Sequence, residues 1–497
     1  MKLNYKRTIL VGFAFFLISA FWQAYDAIVP LILTNHFGLS QFWSGVVSAT
    51  DNVLAVFLLP IFGAVSDRVM SRYGKRTPFV FVGTILAVIT FICLALVDGA
   101  QLPSVLEGGF AEMYAEADEM RKAAYELMAE ARRAQSPELI AAAEAALKAA
   151  DKRFEAITDM TFEVTAANAL PLVGFIGMLL LVLISMAIFR SPAVALMPDV
   201  TVKPLRSKGN AIINLMGTAG GIIVLVLGMI FAVDDIYKSY TGYVIAVGVL
   251  MLVALGIFLF TVKENKWAEE MKADTERYGI EEKADELPTE KRKLSRDELI
   301  SLMLILASVA LWYIGYNSIT SKYSVYATRE LGFSFQFTLI VAQAAAVVAY
   351  IPVGIIASRI GRKKTILAGI TMLATAFLLG HFIDPTTSQI VMYPVFVLAG
   401  IGWATINVNS FPMVVELAKG GDVGKYTGYY YTASMSAQII APILSGALYD
   451  LIGMRQVFFV FGTIFVAASF VTMFFVKHGD AKPEKVSALE SLAGDND

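Results

Sequence analysis

Gly63-Ala64-Val65-Ser66-Asp67-Arg68, followed at once by Arg72-Tyr73-Gly74-Lys75-Arg76, stands between two long apolar runs. Much later, Gly354-Ile355-Ile356-Ala357-Ser358-Arg359 leads into Gly361-Arg362-Lys363-Lys364 between two further apolar runs. These matching loops read as one cationic hinge used twice. The repetition implies two copies of a helical bundle, and the cations place both hinges on the same side of a membrane.

Composition supports that reading. The chain has 497 residues, 57% of them hydrophobic, and a mean hydropathy of +0.65. Apolar runs of about 18 or more residues, long enough to cross a bilayer, recur along most of its length. The net charge of -2 gives no field that would attract nucleic acid. Cys93 is the single cysteine, so no internal disulfide and no cysteine-based zinc cluster is expected. His36, His381 and His478 lie far apart and show no ligand spacing, and no metal site is expected. The start, Lys2 to Arg7 before an apolar run, has the look of a signal peptide. The run continues to about Leu33, too long for the apolar core of such a peptide, so it reads as a first membrane helix that is not cleaved.

Twelve spans are predicted: 8–33, 42–65, 77–98, 169–192, 209–232, 241–262, 298–320, 333–356, 365–384, 388–415, 427–449 and 454–476. Lys2, Lys6, Arg7, the first hinge, Lys203, Arg206, Lys208, the connector 263–297, the second hinge and Lys477 all fall on one side under an even alternation. The positive-inside rule makes that side cytoplasmic, with both termini inside. The expected organisation is an N-terminal six-helix bundle 1–262, a cytoplasmic linker 263–297, a C-terminal six-helix bundle 298–476 and a cytoplasmic tail 477–497. Such internal duplication is a transporter trait, with the substrate site between the repeats near mid-membrane.

Segment 99–168 interrupts the pattern. Phe110, Met113, Ala117, Met120, Ala124, Leu127 and Ala131 follow a heptad, and Ile140, Ala143, Leu147, Ala150, Phe154 and Ile157 repeat it. Ser136-Pro137 between them reads as an N-cap and first turn. The spacing predicts an inserted antiparallel hairpin outside the cell, with no chemistry of its own and more the character of an ornament than of a lid.

Two carboxylates lie at similar depth in the membrane, Asp26 in span 1 and Asp51 in span 2. Ionisable groups at that depth pair, protonate or line a wet cavity, and by default they are functional. Asp26 and Asp51 are the candidate proton-coupling residues. Arg190 near the inner end of span 4 either holds substrate or snorkels to headgroups. The remaining candidate binding set is Trp22, Gln23, Tyr25, Asn52, Asn214, Trp312, Tyr313, Tyr316, Asn317, Gln343, Trp403, Asn407, Asn409 and Gln438. Amides serve sugar hydroxyls and aromatic faces serve sugar C–H surfaces, while a phosphorylated cargo would need more cations. Tyr323 and Tyr326 read as interfacial belt residues. The candidate gate comprises Gly63, Asp67, Arg68, Arg72, Arg76, Asp199, Arg359 and Arg362, with Ser358 replacing the aspartate in the second copy. Such a network would latch the cytoplasmic side while the outside is open.

The double hinge with twelve spans resembles the major facilitator superfamily. The stretch Gly63-x-x-Ser66-Asp67-Arg68, then Ser71 through Phe79, and the stretch Pro192 to Asp199 with Arg206 and Gly209-Asn210-Ala211 are similar to the sucrose/proton symporters and the neighbouring glycoside–cation symporters. The chain departs from that pattern at Val194, which aligns with an arginine of the plant carriers, and in Asp51, which lies farther from the hinge than the paired aspartates of melibiose-type sodium carriers. The resemblance implies an all-α membrane protein of two pseudo-symmetric bundles, and symport of a neutral sugar such as a sucrose- or maltose-like disaccharide or a glucoside.

No phosphate loop, Gly-x-Ser-x-Gly elbow or His-Glu-x-x-His motif is present, so the chain does not read as an enzyme or an ATP-driven pump. No cofactor is expected beyond a proton as coupling ion, with sodium as the alternative. The expected partners are a small-molecule sugar and the lipid bilayer, without nucleic acid, for a monomer in a bacterial inner membrane. The competing readings are a proton-driven exporter of amphipathic compounds and a sugar-sensing receptor on the same fold.

Overall fold

The computed structural model describes residues 3–202, 205–277, 295–417 and 423–478. Lys203, connector residues 278–294, the tail from 479 and the side chain of Ser358 lie outside the described residues, and with them part of the basic and linker segments named above.

Every regular element among the described residues is helical. The first half contains α1 (Tyr5–Leu31), α2 (Gln41–Arg68), α3 (Thr77–Glu107), α4 (Phe110–Ala134), α5 (Pro137–Ala167), α6 (Leu170–Val200), α7 (Arg206–Ile230) and α8 (Thr241–Thr261). After α9 (Glu264–Arg277) come α10 (Arg296–Thr320), the short α11 (Tyr323–Val325), α12 (Phe335–Ile360), α13 (Arg362–His381), α14 (Met392–Glu416), α15 (Val423–Ile452) and α16 (Met454–Phe474). Twelve of these helices are long and apolar enough to cross a membrane, which makes the chain a multi-pass membrane protein. Local signals start them: Asn4 Oδ1 accepts the Arg7 amide at 3.1 Å, and Ser295 and Glu298 form a reciprocal capping box.

Several boundaries differ from the sequence reading for identifiable reasons. The motif residues Gly63–Arg68 and Gly354–Arg359 are the last turns of α2 and α12 rather than loops. Nothing in either stretch interrupts a helix, and α12 stops only at Gly361, whose φ of 97° leaves the helical region. α3 runs to Glu107, beyond the expected end at 98. Asp98, the last residue of the expected span, is fully buried and pairs with His36 Nδ1 at 2.5 Å. His36 Nε2 donates to the Ile236 carbonyl at 2.8 Å. The histidine that looks isolated in sequence therefore ties α1, α3 and the loop before α8 together. Tyr323 and Tyr326, read as belt residues, are buried instead. Tyr323 shares a 2.8 Å hydrogen bond with Thr338, and Tyr326 stacks on Phe458 at 4.0 Å.

Each half is a bundle held by its own contacts. α1 packs on α7, and α3 on α6 and α8; correspondingly α13 packs on α14, and α10 on α15 and α16. Between the halves, α2 meets α15, α7 meets α12 and α1 meets α11. These crossings lie toward the face opposite the hinges, here the far face. Gly45 and Gly446 allow the closest approach: a Cβ at Gly45 would lie 2.1 Å from the Pro442 carbonyl oxygen, and one at Gly446 2.3 Å from that of Gln41. Gln41 and Phe42 amides donate to Asp450 at 2.8 Å each, and buried Lys322 donates to Ser44 Oγ at 2.5 Å. The halves are thus closed against each other on the far face.

On the hinge face, α9 fastens the start of the connector to the first half. Glu264 accepts the amides of Lys75, Arg76 and Thr77 and the Thr77 hydroxyl, capping α3. Asn265 donates to the Ser71 and Arg72 carbonyls at 3.0 and 3.1 Å.

Candidate functional site

Between the halves lies a cavity of about 560 Å³, lined from α1, α2, α6, α7, α10, α12, α14 and α15 among others. Its walls bring together most of the sequence-predicted set. From the first half come Trp22, Gln23, Tyr25, Asp26, Asp51, Asn52, Arg190 and Asn214; from the second, Tyr316, Asn317, Gln343, Trp403 and Gln438. Gln343 Nε2 donates to Gln23 Oε1 at 2.7 Å, a bond that crosses between the halves.

Four expected residues do not line it. Trp312 is wholly buried, and Tyr313 is buried with its ring edge-on to Trp403 at 5.4 Å. Asn407 and Asn409 are buried. Asn409 Nδ2 donates to the Thr405 carbonyl at 2.9 Å, within its own helix. The four polar and aromatic residues of α10 share one face at 3.6 residues per turn, so what separates them is height: the cavity reaches Tyr316 and Asn317 but not Trp312 and Tyr313 one turn earlier.

The electrostatics are asymmetric. Asp26 is solvent-exposed although it lies deep between the helices, because its side chain opens into the cavity. Among the described residues it has no ion-pair partner. Asp51 Oδ1 accepts the Asn52 side-chain amide at 2.8 Å, and Arg190 is near enough to act on it electrostatically. Arg190 stands over the Trp22 ring, its Cζ 5.6 Å from the centroid, so it points inward rather than to headgroups. Asp51 is near enough for its charge to act on Asp26.

Three buried donors in this wall, Trp22 Nε1, Tyr25 OH and Ser48 Oγ, have no hydrogen-bond partner among the described residues. Buried polar groups are nearly always satisfied, so this cluster marks a place where a polar molecule would complete the set. Opposite them Tyr316 and Trp403 stack at 3.7 Å with their planes 8° apart, an aromatic wall. Ser48, Thr218 and Tyr350 are lining residues that sequence reasoning missed. Ser48 lies one turn before Asp51 on the same face, the signal that would have found it.

The gate residues occupy the hinge face. Arg76 is buried and donates to Asp199 Oδ2 at 2.8 Å, and also to Asp67 and to Ser66 Oγ. Lys75 approaches Asp199 at 3.2 Å. A Cβ at Gly63 would meet Ser191 Oγ at 2.9 Å, so this glycine sets the α2–α6 approach. Arg362 Nη1 donates to Glu416 at 2.5 Å in the second half. Arg68 and Arg359 are exposed, and Arg72 lies against its neighbour Tyr73. Both networks bind elements of one half to each other.

The profile described as Major Facilitator Superfamily matches residues 160–442 and again 335–493, well over half of the chain. One described as MFS/sugar transport protein matches residues 10–110. No curated protein matches. Among solved structures, the inward open conformation of the xylose transporter XylE from E. coli is 12% identical, with 98% of this chain and 99% of that chain covered and a TM-score of 0.61. A D-xylose-proton symporter is 14% identical, with 96% and 99% covered and a TM-score of 0.58. A mutant of the nucleoside transporter NupG is 12% identical, with 94% and 99% covered and a TM-score of 0.55.

Proposed function

The chain belongs to the Major Facilitator Superfamily, whose members are transporters rather than enzymes, and from that premise we propose that it performs proton-coupled symport of a neutral sugar by alternating access. The cargo in this reading is a disaccharide or glucoside of the sucrose or maltose type, in keeping with the resemblance of the first hinge to the sucrose/proton symporters. The observation that carries it is the trio of unpartnered buried donors, Trp22 Nε1, Tyr25 OH and Ser48 Oγ, in the same wall as Asp26 and Asp51. Sugar hydroxyls accept from such donors, and the Tyr316–Trp403 wall suits a pyranose C–H face. The similarity to xylose transporters and a xylose–proton symporter favours the same class.

In this mechanism Asp26 carries the proton. An ionised carboxylate without a cationic partner needs the water of an open cavity, and closing over it would cost several kcal/mol. Protonation removes that penalty and lets the loaded carrier reorient. Asp51, supported by Asn52 and the field of Arg190, stays charged and orients hydroxyls together with the guanidinium. The hinge face is cytoplasmic, following the distribution of Lys and Arg.

The test is uptake of labelled sugars into proteoliposomes by the wild type and by Asp26→Asn. The variant is expected to keep sugar exchange at equal concentrations and to lose accumulation driven by a proton gradient. Undiminished accumulation in Asp26→Asn would remove this residue from coupling. Binding of a nucleoside but no sugar would replace the cargo class.

A further inference from the structure

The hairpin α4–α5 is fixed to the two halves in two different ways. To the first half it is joined by packing. Val105, Phe110, Ala117, Phe154 and Ile157 form an apolar cluster of their own, Gln101 Nε2 donates to Thr165 Oγ1 at 3.1 Å, and Gly38 abuts the α5 backbone at Phe162. Such an interface moves as one body with its bundle. To the second half it is joined by a set of directional contacts centred on charged side chains. Arg121, 1% exposed, reaches Glu330 at 3.4 Å and the Arg329 carbonyl, while Asp118 holds it from behind at 3.0 Å. Its guanidinium lies 4.2 Å from the Phe154 ring centroid. Arg329 returns the contact, donating to Thr158 Oγ1 at 2.9 Å. Arg455 of the second half covers the Tyr125 ring at 4.9 Å.

We propose that this hairpin is a clasp: an insertion rooted in the first half whose Arg121, Thr158 and Tyr125 engage Arg329, Glu330 and Arg455 of the second half and hold the far face closed. Opening that face requires the halves to separate there, which breaks these contacts and leaves the packed root intact. Directional polar contacts suit such a role because each partner can be rehydrated when they part, whereas an apolar seam would be exposed. The clasp biases the alternation toward the state closed on the far face, and through that bias it sets how often the carrier presents its cavity to the opposite side. The inference rests on alternating access alone, not on the cargo or the coupling ion.

The test is a spin-label distance measurement between labels at exposed Lys238 in the first half and exposed Ser388 in the second, in a Cys93→Ser background. Glu330→Gln removes the charge partner while keeping its shape, and Thr158→Val removes the acceptor of Arg329. Each is expected to raise the population with the far face open, on the order of tenfold for Glu330→Gln and less for Thr158→Val. Arg121→Gln should do at least as much as Glu330→Gln. A change with Arg121→Gln alone would assign this arginine to packing within the hairpin and overturn the clasp, as would distance distributions unchanged in all three variants. The readout needs no sugar, so its failure is separable from failure of the transport reading.

Discussion

Asp450 and Gln41 are 409 positions apart, yet the Asp450 carboxylate accepts the Gln41 amide at 2.8 Å and so caps α2 of one half from α15 of the other. Its second oxygen accepts the Phe42 amide at the same distance. A carboxylate at a helix N-terminus satisfies free amides and opposes the positive end of the dipole, an interaction worth about 1–2 kcal/mol when partly buried. Because the two partners belong to different halves, that energy stabilises only the state closed on the far face. Asp450→Ala is expected to increase the open population on the order of tenfold, read by the Lys238–Ser388 distance. Gly45→Val should act in the same direction by steric exclusion, since a Cβ there would stand 2.1 Å from the Pro442 carbonyl oxygen. Unaltered distances in both would mean that the α2–α15 contact does not gate this face.

Arg76 is the keystone of the hinge face. Buried between Asp67, Asp199 and Ser66, it is the one donor that all three share. Arg76→Ala is expected to cost about 1–3 kcal/mol, since charge-assisted hydrogen bonds are lost while Lys75 still serves Asp199 and water reaches Asp67. The measurement is the thermal unfolding midpoint of the purified protein, which should fall by several degrees. Arg76→Lys should fall less, since it keeps the charge but not the fork. An unchanged midpoint would show that the network contributes nothing to the first half.

The clasp should respond to acidity on its own side of the membrane. Asp151 of α5 has its carboxyl pushed up from 3.8 to about 6, first by burial and then by Glu330 and Glu155, against the pull of Arg121 and Arg455. In an opened, hydrated hairpin this group returns toward its ordinary value. The clasped state therefore binds more protons between roughly pH 4 and 6, and its stability rises as pH falls through that window and declines as pH rises through it. The far-face-open population should thus grow between about pH 4 and 6. Asp151→Asn should flatten the dependence. A pH response undiminished in that variant would assign it to another group.

The two intramembrane carboxylates should separate by phenotype. Asp26→Asn is expected to uncouple, keeping exchange and losing accumulation. Asp51→Asn is expected to weaken binding, because it removes the charge that faces Arg190, and the loss should appear as a raised half-saturation concentration for exchange. The reverse assignment of phenotypes would exchange the two roles.

What the sequence discloses follows from which interactions are local. The helical architecture, the twelve spans and the repeated hinge are legible because hydrophobic runs and Lys/Arg clusters are properties of contiguous residues. The polar set of α1 and the pair Tyr316 and Asn317 could be read toward a cavity, yet nothing local distinguishes Tyr316 from Tyr313. The pairing of His36 with Asp98, 62 residues apart, depends on how α1 meets α3. The hairpin shows the limit most plainly. Its heptad gave the helices, but Arg121, a residue off the expected stripe, is buried while Met120 on that stripe is 47% exposed. The reason is Glu330, which belongs to the other half of the chain.

The most direct test of the central claim is uptake of a labelled panel of sugars and nucleosides into proteoliposomes under an inward proton gradient, under a sodium gradient and under neither. The account predicts accumulation of one neutral sugar with the proton gradient only, abolished in Asp26→Asn. Accumulation driven by sodium alone, or of no sugar by protein shown to be folded and inserted, would contradict it.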